Sequence, residues 1–352
     1  MTTSVLDIKK ESDSSILIVA EISANHRQDF DCAVEMIRAA KDCGANAVKF
    51  QAYTADTMTI NSDKDCFVID HPEWGGQTLY ELYKKAYTPW EWFPELKKLA
   101  DDLGLIFLCS AFDPSSIDML EKLDICAHKI ASFELVDLPL IEYAAQTGKP
   151  LIISTGMGSI EEIQDAVDAA KSAGAKEVIL LKCVSGYPAK PEEMNLATIP
   201  NMRERFNCPV GLSDHSLGIV AAVSSVAFGA CVIEKHFTLS RDDKTPDSFF
   251  SIEPQELRQL VEEVRIAKKA VGKIHYGLTD DERNSSVFRR SLFVVKDVKA
   301  GEKVTSENIR SIRPGHGLAP KYQKEIIGKR FLKDIPMGTP LNSDHLEGKI
   351  SK

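Results

Sequence analysis

No Cys-x-x-Cys pair occurs among the eight cysteines of this 352-residue chain, which stand singly at 32, 43, 66, 109, 126, 183, 208 and 231. A dithiol motif is thereby absent, and several of the eight lie inside apolar runs, as reduced core thiols do. Positive charge is also short: 43 Lys and Arg against 52 Asp and Glu leave a net charge of -9. That balance excludes a general binder of nucleic-acid backbones while permitting a local basic pocket for a small anion. No uninterrupted apolar run reaches the ~18 residues that a membrane span needs. The opening Met-Thr-Thr-Ser-Val-Leu-Asp-Ile-Lys-Lys has no apolar stretch of the kind an export signal uses. A cytoplasmic protein with no membrane span is the expectation. Finally, no Gly-x-Gly-x-x-Gly turn follows the first strand-like run, which counts against a dinucleotide-binding sheet.

What the chain does contain is ordinary globular material, 43% apolar and 27% charged, in a length that suggests one large domain and one small one. Short runs suited to buried parallel strands recur at 17–21, 47–51, 105–111, 127–132, 151–155, 178–183, 210–214 and 232–237. Between them lie segments such as 160–173 and 254–271, with apolar residues at three- and four-residue spacing. Eight alternations of strand and helix predict a closed (β/α)8 TIM barrel, with an open doubly wound sheet as the alternative. Residues 53–89 form an insertion longer than a usual βα loop, either a lid over the site or a surface excursion. A polar, charged stretch after Leu278 marks a domain boundary near 280. The expected organisation is a catalytic barrel over 1–280, a linker over 281–289 and a small turn-rich module over 290–352. Within that module, Ile312-Arg-Pro-Gly-His-Gly-Leu-Ala-Pro320 is a loop rich in glycine and proline that presents Arg313.

In such barrels the strand C-termini face the active site, and here they share a chemistry. The first end offers Glu21, the second Lys49 and Gln51, the third Ser110, the fourth Lys129 and Ser132, and the fifth Ser154 and Thr155. Ser185 and Tyr187 follow the sixth, Ser213, Asp214 and His215 end the seventh, and Glu234 and His236 end the eighth. Two lysines and several hydroxyls on one rim suit a phosphate or carboxylate. Two imidazoles and a carboxylate opposite them suit an exchangeable divalent cation, manganese or magnesium with zinc as an alternative, whose role is that of a Lewis acid. Each element also has a structural reading. Strand-end serines often cap helices, a single histidine is usually a hydrogen-bonded core residue, and Asp214 and Lys235 are candidate partners of each other.

Five segments carry a resemblance: Ala20-Glu-Ile-Ser-Ala-Asn-His26, Val48-Lys-Phe-Gln51, Lys129-Ile-Ala-Ser132, Gly211-Leu-Ser-Asp-His-Ser216 and Ile233-Glu-Lys-His-Phe237. Together they resemble the sialic acid synthase family, which condenses phosphoenolpyruvate with an amino sugar to make nonulosonic acids, and the tail resembles its antifreeze-like (SAF) domain. Leu79-Tyr-Glu-Leu-Tyr83, Thr88-Pro-Trp-Glu-Trp92 and Lys182-Cys-Val-Ser-Gly-Tyr-Pro188 resemble the branch of the family that makes pseudaminic acid. The resemblance implies a metal held by His215 and His236. It implies that Lys49, Lys129, Ser110, Ser132, Ser154 and Ser213 hold phosphoenolpyruvate, with Glu21 beside the reacting carbons. On the sugar side it implies Gln51, Ser185, Tyr187 and Asp247, with Glu234 arranging the open-chain aldehyde. It implies a domain-swapped homodimer in which Arg313 reaches the partner's site. Ser185-Gly-Tyr187 departs from the Asn-x-Tyr of sialic acid synthases proper, and Lys244-Thr245 departs from an expected glycine pair. A carbohydrate-binding protein without turnover is the non-enzyme alternative, against which the intact lysines, histidines and Glu21 weigh.

Overall fold

The eight apolar runs become strands because each is too short for a helix and is followed by a helix that covers one of its faces. In the computed structural model, which describes residues 16–70 and 74–350, they are β1 (Leu17–Glu21), β2 (Ala47–Ala52), β3 (Ile106–Ala111), β4 (His128–Ile130), β5 (Leu151–Ser154), β6 (Val178–Cys183), β7 (Val210–Asp214) and β8 (Val232–His236). They close in sequence order, every neighbouring pair parallel, and β8 pairs back onto β1 from Leu17 with Val232 to Glu21 with His236. Closure removes the open-sheet alternative. The opening segment that bears on export lies outside the described residues, as do His71, Pro72 and Glu73 of the insertion.

Alternation along the strands sorts the core. Leu17 and Val19 point into the barrel with Ile106, Leu108, Ile152, Leu181 and Val232. Ile18 and Ala20 face outward with Val48, Phe50 and Ile153, against helix residues such as Met36, Ile37, Leu96 and Leu260. The interior is so narrow at Gly211 that a Cβ there would stand 2.4 Å from the carbonyl oxygen of Val232. Several helices begin on side-chain caps; the one over Ile160–Ala173 has a reciprocal capping box between Ser159 and Glu162.

Continuing the same alternation upward puts Glu21, Lys49, Gln51, Ser110, Lys129, Ser154, Ser213 and Glu234 on the inward parity of their strands. The register sets Glu21 beside Lys49, Gln51 beside Ser110, Ser110 beside Lys129 and Ser213 beside Glu234. A polar layer therefore caps an apolar barrel interior. Asp214 and Lys235 take the opposite parity, and they pair with each other at 2.8 Å on the outer face. That removes Asp214 from the strand-end groups that face the site.

Two compact units divide the chain, Met1–Gly272 and Lys273–Lys352. The first helix of the second unit, Asp280–Ser285, overlaps the start of the stretch read as a linker. The unit then forms an antiparallel pair, β9 (Ser291–Val294) and β10 (Ile309–Ile312), around a small core that includes Leu292, Val304, Ile326, Phe331 and Leu341. Arg313 follows β10 and is exposed. Gly317 allows close approach: a Cβ there would meet the Leu292 carbonyl oxygen at 2.3 Å. No helix among the described residues is long and apolar enough to cross a membrane.

Candidate active site

The polar layer is an ion network. Lys49 Nζ lies 2.8 Å from Oε1 of Glu234 and 3.4 Å from Oε2 of Glu21, all three side chains being buried. Only β1 separates β2 from β8 in the closed barrel, so Lys49 stands close to the histidine-bearing strands rather than opposite them, as the sequence suggested. Burial opposes the charge of Lys49, yet the flanking carboxylates of Glu21 and Glu234 outweigh it and raise its pKa above the ordinary lysine value. Burial also pushes Glu234 up, but the ammonium groups of Lys129 and Lys49 overcome it and hold the carboxylate at about 2. Glu21 is the contrasting case, pushed up to about 7 by burial against the pull of Lys49. Two carboxylates in one layer are thus set apart, one held ionised and one poised near neutrality.

Lys129 donates to Oγ of Ser154 at 2.7 Å and to the Ile130 carbonyl at 2.9 Å, and burial brings it down to about 8. Ser213 donates to Glu234 at 3.2 Å, and Ser132 accepts the Gly156 N–H at 3.1 Å. Gly156 leaves room for these hydroxyls, because a Cβ there would stand 2.2 Å from Oγ of Ser185 and 2.8 Å from Oγ of Ser132. Oγ of Ser110 and Oγ of Ser185 are buried without a hydrogen-bond partner, and so is Oε2 of Glu21. Buried polar atoms are seldom left so, and their grouping around two lysines marks a place for a polar ligand. Thr155 is spoken for, its hydroxyl donating to the Leu181 carbonyl at 3.0 Å.

His215 and His236 sit with ring centroids 5.3 Å apart. Nδ1 of His215 lies 2.9 Å from the Val184 carbonyl, which assigns its proton to Nδ1 and leaves Nε2 with a lone pair, the arrangement of a metal-ligating imidazole. Nδ1 of His236 is buried without a hydrogen-bond partner, and burial keeps this ring neutral. Two imidazoles, His215 with its Nε2 turned away from the Val184 bond and His236 with an orphaned nitrogen, fit an exchangeable divalent cation. The carboxylate expected as a third ligand does not join them: among the described residues no group of three His, Cys, Asp or Glu is placed to hold an ion. Oδ2 of Asp247 stands 3.7 Å from Nδ1 of His236.

Beside these groups opens a cavity of about 400 Å3 whose lining includes Gln51, Tyr187, His236 and Asp247 on one side. The insertion supplies the other side with Tyr53, Met58, Ile69, Trp74, Leu82 and Tyr83, which makes it a wall of the site rather than a surface excursion. Trp74 ties it down by donating to the Pro246 carbonyl at 2.8 Å and packing on Tyr187. Tyr187 in turn lies 4.5 Å, centroid to centroid, from the His215 ring. Arg313 belongs to the second unit and is not among these residues. Sequence reasoning passed over two groups that line the same cavity. Glu134 is pushed up to about 7 by burial and has one carboxyl oxygen without a partner; its only signal was a place two residues after Ser132. Ser23 lay inside the first motif, but nothing in its residue type announced a role.

A closed parallel barrel with lysines, hydroxyls, set-apart carboxylates and paired imidazoles at its strand C-termini is the organisation of a barrel enzyme. The chain belongs to the NeuB family, whose model matches residues 36–276, and a SAF domain matches residues 289–347. It is 43% identical to pseudaminic acid synthase of Helicobacter pylori, covering 95% of this chain and 98% of that one. It is 35% identical to N,N'-diacetyllegionaminic acid synthase of Legionella pneumophila, with 96% of each chain covered. Among solved structures, the N-acetylneuraminic acid synthetase of Leptospira borgpetersenii, in complex with citrate, superposes with a TM-score of 0.70 at 33% identity, covering 78% of this chain and 91% of that one.

Proposed function

We propose that this enzyme condenses phosphoenolpyruvate with 2,4-diacetamido-2,4,6-trideoxy-L-altrose and water to give pseudaminic acid and phosphate. The observation that carries the reading is the 43% identity, over nearly the full length of both chains, to a pseudaminic acid synthase. The cavity suits that sugar: aromatic and aliphatic side chains from the insertion for a 6-deoxy methyl and acetamido methyls, and the Glu134 carboxyl for an amide N–H.

In this reading Lys49, Lys129, Ser110, Ser132, Ser154 and Ser213 bind the phosphate and carboxylate of phosphoenolpyruvate. Their contribution is positioning and charge neutralisation in a buried site. Gln51, Ser185, Tyr187 and Asp247 hold the sugar, and Glu234 arranges its open-chain aldehyde. C3 of phosphoenolpyruvate attacks the aldehyde carbon, water adds at C2, and phosphate leaves with cleavage of its C–O bond. Oε2 of Glu21, without a hydrogen-bond partner and poised near neutrality, takes the proton from the water that adds. His215 and His236 would hold a divalent cation, manganese or magnesium with zinc as the alternative, which supplies Lewis-acid polarisation of the aldehyde oxygen when bound.

The same reading keeps the catalytic domain through residue 280, a linker over 281–289 and the antifreeze-like domain over 290–352, in a cytoplasmic enzyme. It also makes the active form a domain-swapped homodimer, with Arg313 of one subunit acting in the barrel of the other. Large apolar side chains on loops after the strand ends, Phe133 at 58%, Met157 at 66% and Leu217 at 62% exposure, support a covering partner. The test is a substrate panel: phosphate release from phosphoenolpyruvate with the altrose derivative, with 2,4-diacetamido-2,4,6-trideoxymannose and with N-acetylmannosamine, divalent cation present. Turnover confined to the first sugar is expected. Preference for the second would move the chain to the legionaminic branch, to which its 35% identity also connects it, and preference for the third to the sialic branch.

A further inference from the structure

Ser23 follows β1 with φ at 47°, in the left-handed region that a residue with a Cβ seldom occupies. Such a conformation persists where the surroundings over-determine it. Here they act through the side chain, which is buried. Its Oγ accepts a hydrogen bond from Nε2 of Gln51 at 2.8 Å and donates one to Oδ2 of Asp247. The second Nε2 proton of Gln51 goes to Oε1 of Glu21 at 2.9 Å.

The polarity of this chain of bonds follows from the orientation of the Gln51 amide and from ionised carboxylates at its two ends. An amide nitrogen cannot accept and a carboxylate cannot donate, so the hydroxyl between them is the member that does both. Both protons of the Gln51 amide are thereby committed, the amide orientation being assigned from its two acceptors. Oε1 of Gln51 remains to meet a ligand. Asp247 has acceptor capacity left over beyond its bond from Ser23. Ser23, Gln51 and Asp247 all line the cavity that the insertion covers.

We propose that Ser23 is a positioning residue that fixes the hydrogen-bond polarity of this wall, so that Gln51 and Asp247 face the ligand as acceptors alone and select a sugar presenting hydroxyl or amide N–H donors there. The inference rests on reading the cavity as the sugar site. Without the hydroxyl, Gln51 can turn an N–H into the cavity and oppose those donors, while Asp247 loses the group that orients it.

The backbone separates this role from a role in folding. Glycine occupies φ near 47° at less cost than serine, so Ser23→Gly relieves strain while deleting the hydroxyl. S23G is expected to keep or raise its unfolding midpoint and to leave the KM for phosphoenolpyruvate unchanged. Its sugar KM is expected to rise about ten- to a hundredfold, the size of effect that follows when buried polar groups facing a ligand are mispaired. S23A, which keeps the Cβ, should show the same sugar KM with a lower midpoint. An S23G protein that melts earlier and binds sugar as before overturns the inference. A crystal structure of S23G gives a readout free of turnover: the Gln51 amide and the Asp247 carboxylate are expected in new orientations, and finding both unmoved also overturns it. An unmodified enzyme silent with every sugar overturns the functional reading instead, and leaves the crystallographic comparison to decide for Ser23.

Discussion

Lys49 on β2 and Glu234 on β8 reach across β1 to form a buried 2.8 Å ion pair at the top of the barrel. Their pairing joins the anion-binding side of the site to the strand that ends in His236. It also bears on the charge of Lys129, because burial lowers this lysine to about 8 and the Glu234 carboxylate is the largest of the groups that hold it from falling further. The ammonium form is the one that binds an anion, so the KM for phosphoenolpyruvate should rise as pH passes about 8. Glu234→Gln should start that rise at a lower pH. Profiles of kcat/KM for phosphoenolpyruvate between about pH 6 and 10 check this; superimposable profiles for the two proteins would sink it.

Glu21 makes the opposite case. Its folded pKa, about 7, lies above the ordinary glutamate value because burial disfavours its charge. The folded state therefore holds a proton that the unfolded state has released, and stability falls as pH rises from about 4.5 to 7. Above that window the ionised carboxylate costs the fold up to roughly 3 kcal/mol. Glu21→Gln should raise the unfolding midpoint at pH 8 while abolishing turnover, and the gain should vanish near pH 4.5, where both proteins carry a neutral group. Scanning calorimetry at the two pH values measures it. A variant less stable than the parent at pH 8 would show that the Lys49 contact, not burial, governs this position.

The polar layer was legible in the sequence because strand parity is a period of two. Once Leu17 and Val19 face inward, Glu21 must follow, and the same count carries Lys49, Ser110, Lys129, Ser213 and Glu234. Asp214 shows the rule working in the other direction, since its parity sends it out to Lys235. The Lys49–Glu234 pairing was not legible, because which strand ends meet depends on closure of β8 onto β1 rather than on any local pattern. Ser23 was hidden for a different reason: its significance is a backbone angle, and serine at that position advertises nothing about φ. Glu134 was hidden because its raised pKa comes from burial at the cavity wall, which its place in the sequence does not announce.

His236 tests the metal assignment. Its Nδ1 has no hydrogen-bond partner, so removing the ring breaks no hydrogen bond that the described structure shows and gives up its packing on His215 and Phe250. His236→Ala should retain its unfolding midpoint within a few degrees and lose turnover with every divalent cation. Chelation of the unmodified enzyme should abolish turnover, with recovery on adding manganese or magnesium, and isothermal titration should show cation binding in the parent but not in the variant. Full activity in His236→Ala would remove both the ligand and the role given to it.

Arg313 stands exposed on the second unit, in a loop that follows β10. If it completes the site of a partner subunit, Arg313→Ala and Lys49→Met damage the same reaction from different chains. Each variant alone should lose activity by about a hundredfold or more, the usual consequence of deleting a charged group that faces developing negative charge. Co-expressed in equal amounts, the two should form mixed dimers in which one site has both its lysine and its arginine intact. Random pairing then restores about a quarter of the parental activity, because half of the dimers are mixed and half of their sites are whole. Activity that stays at the level of the separate variants, with mixed dimers demonstrated by tagged pull-down, would confine Arg313 to its own subunit. Truncation after residue 280 gives a second reading of the same point: a folded barrel with little turnover supports the shared site, and undiminished turnover refutes it.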